Sequence, residues 1–207
     1  MTHTLHRRGN RKSLDKDYVF LCMAAKGINE DGAEKKMQEF LRISLRHKAV
    51  NVGDMRTGSI YNCSLGEMFD KVTSTSIVQG VFTDLDSVDA MLKDLKESDL
   101  GMSVVISGPF SSIEEACKKA GLSPHSADYS GGIWGDTKRL PSNDVLEVCT
   151  MCGHAMVSSK LAETFVEAIK RGEITAEEAA RELSKQCACG VFNPSRAAEL
   201  LIMMASK

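Results

Sequence analysis

The sequence predicts an N-terminal α/β domain, or an α+β domain, followed by a small all-helical module rich in cysteine. Short apolar runs alternate with segments of helical spacing as far as about residue 134. Beyond that point helical signals follow one another, and four of the seven cysteines lie in this last part. These observations divide the chain into a flexible basic arm at 1–16, an α/β domain at 17–140 and a helical module at 141–207.

The overall composition is that of an ordinary globular protein. Of its 207 residues, 43% are apolar and 26% are charged, so a packed core is expected and a wholly disordered chain is not. The formal net charge of −2 gives no basic surplus for a nucleic-acid backbone. No apolar run approaches the ~20 residues that cross a bilayer. We therefore expect a cytoplasmic protein that binds neither nucleic acid nor membrane.

The first half of the predicted domain follows the polar, basic arm. The apolar run at 18–26, bounded by Gly27, indicates a buried strand. Apolar residues at helical spacing predict a helix over 31–48. Residues 49–75 are polar and contain glycine, so we expect a loop with one short helix near 65–72.

The second half of the domain repeats the alternation more clearly. The predicted elements are a strand at 76–83, a helix capped by Asp84 or Asp86, a strand at 102–107, a helix opened by a capping box of Ser111 with Glu114 or Ser112 with Glu115, and a further strand at 125–134. Strands joined through helices need crossover connections, so we expect at least partly parallel pairing. A ferredoxin-like α+β arrangement is the alternative.

The C-terminal module follows a linker and is mainly helical. The predicted elements are a linker at 138–143, a short strand at 144–148, a helix at 157–171 ended by Gly172, a helix at 176–186 with a capping box of Thr175 and Glu178, and a last helix capped by Asn193 and opened by Pro194. The short turn between the first two helices makes them antiparallel, so they form a hairpin.

Two close cysteine pairs flank this helical hairpin. Cys149-x-x-Cys152 precedes it and Cys187-x-Cys189 follows it, and the odd total of seven cysteines fits a disulfide framework poorly. Because helices of ~14 and ~11 residues rise and fall by similar lengths, the chain returns to nearly the same height. The four thiolates should therefore meet, and without a cation they would repel one another. The sequence thus predicts a metal centre.

Neighbouring residues can support this centre. Gly153 and Gly190 directly follow the two pairs, where they let the backbone approach closely and can donate N–H bonds to sulfur. His154 can replace one thiolate as a ligand. The helices that begin shortly after each pair can aim their amide dipoles toward an anionic centre.

Three accounts of the clustered thiols are open. Four thiolates suit zinc as well as an iron–sulfur cluster. The C-x-C spacing is less typical of paired zinc knuckles, which favours iron–sulfur, with zinc as the alternative. Redox-active or merely buried thiols are the third account. Cys22 and Cys117 occupy inward-facing positions of a strand and a helix, so we expect them to pack in the core.

Residues 145–207 resemble the small helical [2Fe-2S] domain of bacterioferritin-associated ferredoxin. That family combines a C-x-C pair and a C-x-x-C pair separated by helices, and this sequence has the same elements, written as VCTMCGH and QCACGVFNP. The C-x-x-C pair comes first here and second in the family. The resemblance implies that all four cysteines bind the cluster, and that the module carries electrons or senses redox state. Residues 1–140 show no such resemblance.

Three functions are consistent with these features. The first is a soluble iron–sulfur protein with a redox or redox-accessory role, which implies a redox protein as partner. The second is a zinc-stabilised interaction module without catalysis. The third is a metal-assisted enzyme with a small-molecule pocket near the turn at 108–112. In this enzyme, His3 and His6 are candidate acid–base residues. Arg7 and Arg8, which follow them, can hold a small anionic ligand.

Overall fold

A five-stranded sheet and nine α-helices make up the part of the chain that the computed structural model describes, residues 4–207. The elements in chain order are α1 (Arg11–Leu14), β1 (Tyr18–Met23), α2 (Ala33–Arg46), β2 (Asn51–Asp54), β3 (Gly58–Ser59), α3 (Leu65–Lys71), β4 (Ile77–Phe82), α4 (Leu85–Ser98), β5 (Ser103–Ser107), α5 (Phe110–Lys119), a 3₁₀ turn (Thr137–Arg139), α6 (Asn143–Cys149), α7 (Ser159–Lys170), α8 (Ala176–Lys185) and α9 (Pro194–Ala205). None of the helices in this range is both long and apolar enough to cross a bilayer.

The sheet has the strand order β3-β2-β4-β1-β5 and is antiparallel throughout. The predicted parallel pairing is therefore wrong, and the ferredoxin-like alternative describes the sheet. Helix α2 connects β1 to β2, and α4 connects β4 to β5, but each of these strand pairs has another strand between its members. Because strands connected through a helix are not neighbours, every neighbouring pair can run antiparallel.

The two faces of the sheet belong to two separate cores. Phe20 and Phe82 pack on the face covered by α2 and α4, where their rings meet edge to face with centroids 5.2 Å apart. Val19 and Val81 lie opposite each other in the register and point to the other face. There they join the core formed by the helices after residue 141. The C-terminal helices and the sheet therefore share one core.

Three predicted elements differ from the structure. Residues 49–75 contain β2 and β3 in addition to the expected short helix α3. The polar residues of β2 are buried, and Asn51 bonds the Phe192 carbonyl of the C-terminal part, which local sequence does not reveal. Residues 125–134 form no strand and are exposed. Residues 144–148 belong to α6, in which Val145 and Val148 share the buried face.

Most of the predicted helix caps are present. Asp84 Oδ1 accepts a hydrogen bond from the Ser87 amide at 2.7 Å and starts α4. Thr175 and Glu178 form the expected capping box of α8. The two boxes predicted for α5 are wrong, because α5 already begins at Phe110, directly after Pro109. Local cap chemistry thus sets most helix starts, and the proline overrides it at α5.

Candidate metal centre

The C-x-x-C pair lies where α6 ends and the chain turns toward α7. Cys149 is the last residue of α6 and is half-buried, and Cys152 is fully buried. The Cys152 amide donates to the Cys149 carbonyl at 3.2 Å, which closes a tight turn between the two. Gly153 then adopts a φ of 68°, a left-handed conformation that glycine accepts without strain. This turn leads the chain to His154, which is exposed.

The C-x-C pair lies between α8 and α9. Cys187 and Cys189 are both buried. The Gly190 amide donates to the Cys187 carbonyl at 3.2 Å, and Gly190 has a φ of 79°. Asn193 then caps α9, with its Oδ1 accepting from the Arg196 amide at 3.0 Å. A turn and a cap thus hold the second pair between two fixed helix ends.

The structure links three of the four predicted cysteines in a row and adds the histidine at its end. The side chains of Cys152 and Cys187 lie close enough for each to shift the pKa of the other. The Cys187 and Cys189 sulfurs lie 3.6 Å apart, and the Cys189 sulfur lies 3.6 Å from His154 Nδ1. Cys149 lies beside Cys152, near enough for charge on either thiol to affect the other. The helical hairpin therefore places both pairs at one location.

The contacts form a chain from Cys152 through Cys187 and Cys189 to His154. Within residues 4–207, no three or more His, Cys, Asp or Glu side chains are already arranged around a common point as metal ligands. The individual distances nevertheless match a metal site. Two thiolates on one tetrahedral zinc ion lie about 3.8 Å apart, and a thiolate and an imidazole nitrogen about 3.6 Å. The sulfur–sulfur distance between Cys187 and Cys189 and the sulfur–nitrogen distance between Cys189 and His154 are both 3.6 Å, in agreement with these values.

Backbone amides point at three of the sulfurs. The amides of His154 and Met156 donate to Cys152, the amide of Phe192 to Cys187 and the amide of Val191 to Cys189. Such bonds stabilise the thiolate form over the thiol. We expected these donors at Gly153, Gly190 and the starts of the following helices. The donors seen here instead lie in the two loops, and the Gly190 amide bonds a carbonyl.

The ionisation of the thiols follows the order of the contact chain. Burial, followed by the nearby Glu163 and Cys152, raises the pKa of Cys149 to about 11. The contact with Cys187 raises the pKa of Cys152. The contact with Cys187 on its other side lowers the pKa of Cys189. Without a cation, the cluster therefore keeps most of its protons at neutral pH, and a bound metal would displace them.

The C-x-C loop packs against strand β2 of the sheet, a contact that the sequence did not predict. A Cβ atom built on Gly53 of β2 would lie 2.7 Å from the Cys189 carbonyl oxygen and 2.9 Å from the Gly190 Cα. Asn51, on the same strand, donates through Nδ2 to the Phe192 carbonyl at 2.9 Å. The only sequence signal was a glycine within a short polar segment, which indicates a turn as readily as a close approach.

The N-terminal arm crosses this site. Thr4 and Ser107 of β5 share a hydrogen bond at 2.5 Å between their hydroxyls, and Arg8 donates its amide to Thr150 Oγ1 at 3.0 Å. Arg7 contacts Asp17 and the carbonyls of both cysteine loops. Residues 4–16 therefore lie against the body. His6 is exposed, and His3 lies outside the described residues.

The remaining candidates lie away from the thiols. Cys22 and Cys117 are buried in the core between the sheet and the helices α2, α4 and α5. At the turn of 108–112, Arg11 donates to the hydroxyls of Ser111 at 2.8 Å and Ser112 at 2.6 Å. Two cavities of about 360 and 260 Å³ have no lining residue from this turn. The larger is lined by Arg7, Arg8, Gly9, Asn143 and Glu147.

Comparison of the chain with family models, with curated proteins and with solved structures gave no match.

Proposed function

We propose that the protein binds a single tetrahedral metal ion, with zinc as the first candidate, through Cys152, Cys187, Cys189 and a fourth ligand. The observation that carries this proposal is the contact chain of three buried thiols ending at His154 Nδ1. Three thiols crowded against one another suit one ion better than a cluster, in which different metal atoms hold different cysteines. His154 and Cys149 are the two candidates for the fourth position.

The role of the ion in this proposal is to fix the C-terminal helices on the sheet. The ion joins a loop before α7 to a loop after α8, and the second loop rests on β2. Because Val19 and Val81 share a core with these helices, metal removal should lower the stability of the whole chain. The function is then that of a metal-stabilised binding module.

An iron–sulfur centre with a redox role is the second candidate. It is supported by the fourth sulfur, Cys149, and by the four amides that donate to the other three sulfurs. Hydrogen bonds to sulfur and burial are the features through which proteins tune the potential of such clusters. The resemblance of residues 145–207 to a helical [2Fe-2S] domain points the same way. The enzyme alternative stays a prediction.

Elemental analysis of protein purified anaerobically, together with an assay of acid-labile sulfide, separates these candidates. One zinc per chain without sulfide is expected for the mononuclear site. Iron with an equal amount of acid-labile sulfide would instead show that the site holds an iron–sulfur cluster. Serine variants of Cys152, Cys187 and Cys189 should each lose the metal, and a Cys117→Ser variant is the matched control. Full metal retention in all three site variants would contradict both candidates.

A further inference from the structure

One arginine from the N-terminal arm joins the two cysteine loops. Arg7 donates through one guanidinium nitrogen to the Met151 carbonyl at 3.0 Å and to the Val191 carbonyl. Met151 directly precedes Cys152, and Val191 is the residue whose amide donates to the Cys189 sulfur. A single side chain therefore holds the backbone of both loops, which come from distant parts of the sequence.

The guanidinium is itself held in place. Its other terminal nitrogen contacts the Asp17 carboxylate at the start of β1, and the Arg7 side chain is only 5% exposed. Asp17 also pairs with Arg196 at 2.7 Å, and Arg196 has a second carboxylate partner, Glu147, at 3.5 Å. Arg7 Nε has no hydrogen-bond partner among residues 4–207. Arg7 is thus anchored at the start of β1 by a buried ion pair.

The positive charge of the Arg7 guanidinium lies next to an anionic centre if the proposed metal is bound. Three thiolates and one imidazole give a zinc site a net charge of −1, and four thiolates give −2. A buried cation near such a site stabilises the loaded form more than the empty one, because the interior screens charge weakly.

We infer that Arg7 is a positioning residue of the metal centre, which holds the C-x-x-C loop and the C-x-C loop at their binding separation and offsets the charge of their thiolates. This inference rests on the proposed function. It assigns the arm a role in metal affinity rather than in catalysis or ligand capture. Lysine cannot reproduce it, because one ammonium group lacks the planar, forked donor set that reaches both carbonyls and Asp17.

The test is a Co²⁺ titration of the full-length, metal-free protein against a competing chelator. It compares the parent protein with Arg7→Lys, Arg7→Met and Arg8→Met. Arg8 is the matched control, because its side chain bonds exposed Asn143 and its contact with Thr150 is made by the backbone. Loss of an outer-shell partner lowers metal affinity by about 10- to 100-fold. We expect that loss for both Arg7 variants, with altered thiolate-to-cobalt charge-transfer bands, and parent-like behaviour for Arg8→Met.

The outcomes distinguish the inference from the proposed function. If the parent protein fails to bind Co²⁺ through thiolates, the proposed function and the inference both fail. If both Arg7 variants bind as tightly as the parent with the same spectrum, the inference alone is wrong. Should Arg7→Met remove one of the two guanidinium partners of Asp17 and fail to fold, Arg7→Lys decides, since it keeps a positive charge beside Asp17 and removes only the bridge between the two loops. Parent-like affinity and spectrum in that variant would overturn the inference.

Discussion

Gly53 and Gly190 pack backbone against backbone where the C-x-C loop rests on the sheet. A Cβ atom on Gly190 would lie 2.5 Å from the Gly53 amide nitrogen, and one on Gly53 would lie 2.9 Å from the Gly190 Cα. Neither contact can be relieved by a side-chain rotation, because both partners are backbone atoms. The position of the second cysteine pair therefore depends on the absence of a side chain at both residues.

The Gly53→Ala variant should displace the loop and weaken metal binding. Forcing an extra carbon into a packed interior costs about 1–3 kcal/mol, so we expect a loss of this size in urea unfolding. Gly66→Ala is the matched control, since Gly66 lies on the exposed side of helix α3, where a Cβ atom would meet open space. This control should be neutral or slightly stabilising. Equal stability and metal content in Gly53→Ala and the parent protein would contradict this description of the loop.

The shared carboxylate of Asp17 should be one of the most sensitive buried positions. Asp17 accepts from Arg196 Nη1 at 2.7 Å and from Asn193 Nδ2 at 3.1 Å, and it contacts Arg7. Asp17→Asn removes the carboxylate that pairs with Arg7 and leaves Arg196 only the longer contact of 3.5 Å with Glu147, which destabilises by about 3–5 kcal/mol.

Glu199→Gln provides the comparison for Asp17. It removes an exposed ion pair with Lys16, 2.7 Å long, and such pairs contribute about 1 kcal/mol or less. Denaturant unfolding of the two variants measures the contrast. A loss for Asp17→Asn no larger than that for Glu199→Gln would show that the buried cluster contributes little.

Asn193 combines a helix cap with two contacts to the start of β1. Besides capping α9, it donates through Nδ2 to the Lys16 carbonyl at 2.9 Å. Asn193→Ala should therefore destabilise by about 2 kcal/mol or more, because a cap and buried hydrogen bonds are lost together. Ser158→Ala, at the exposed cap of α7, should cost about 0.5–1 kcal/mol. Thermal unfolding of the two variants gives the comparison, and equal losses would contradict the role of Asn193 at β1.

Alkaline pH should destabilise the fold through Cys22, away from the metal site. Burial raises the pKa of Cys22 from 9.0 to about 12. In the unfolded chain the thiol ionises near pH 9. The buried neutral thiol therefore gives its full stabilisation of the fold below that pH, and this stabilisation is lost as the pH rises toward 12. Between pH 8 and pH 10 the parent should lose about 1 kcal/mol more than Cys22→Ala. Parallel unfolding free energies for the two proteins across this interval would contradict the assignment.

Local chemistry made part of the structure predictable. The caps at Asp84, Thr175 and Asn193 depend on residues within one helical turn, so the sequence specifies them directly. The meeting of the two cysteine loops followed from the lengths of the helices between them. The short strand β2 was missed because Asn51 and Asp54 are polar and become buried only through long-range packing.

The supporting residues of the site could not be predicted for the same reason. Arg7 and Asp17 resemble ordinary surface residues in sequence, and their partners Met151, Val191 and Arg196 lie far along the chain. The antiparallel sheet also depends on which strands become neighbours, and periodicity gives no information on that order. The sequence therefore identified candidate ligands, and the structure was needed to identify what holds them.

X-ray absorption at the metal edge of protein purified without added metal tests the central claim most directly. The account predicts one tetrahedral ion per chain with sulfur neighbours at ~2.3 Å and no second metal nearby. The Cys187→Ser variant should lose that sulfur shell, since Cys187 contacts both Cys152 and Cys189. A metal-free protein, or a metal surrounded only by oxygen, would contradict the claim that these thiols form a metal centre.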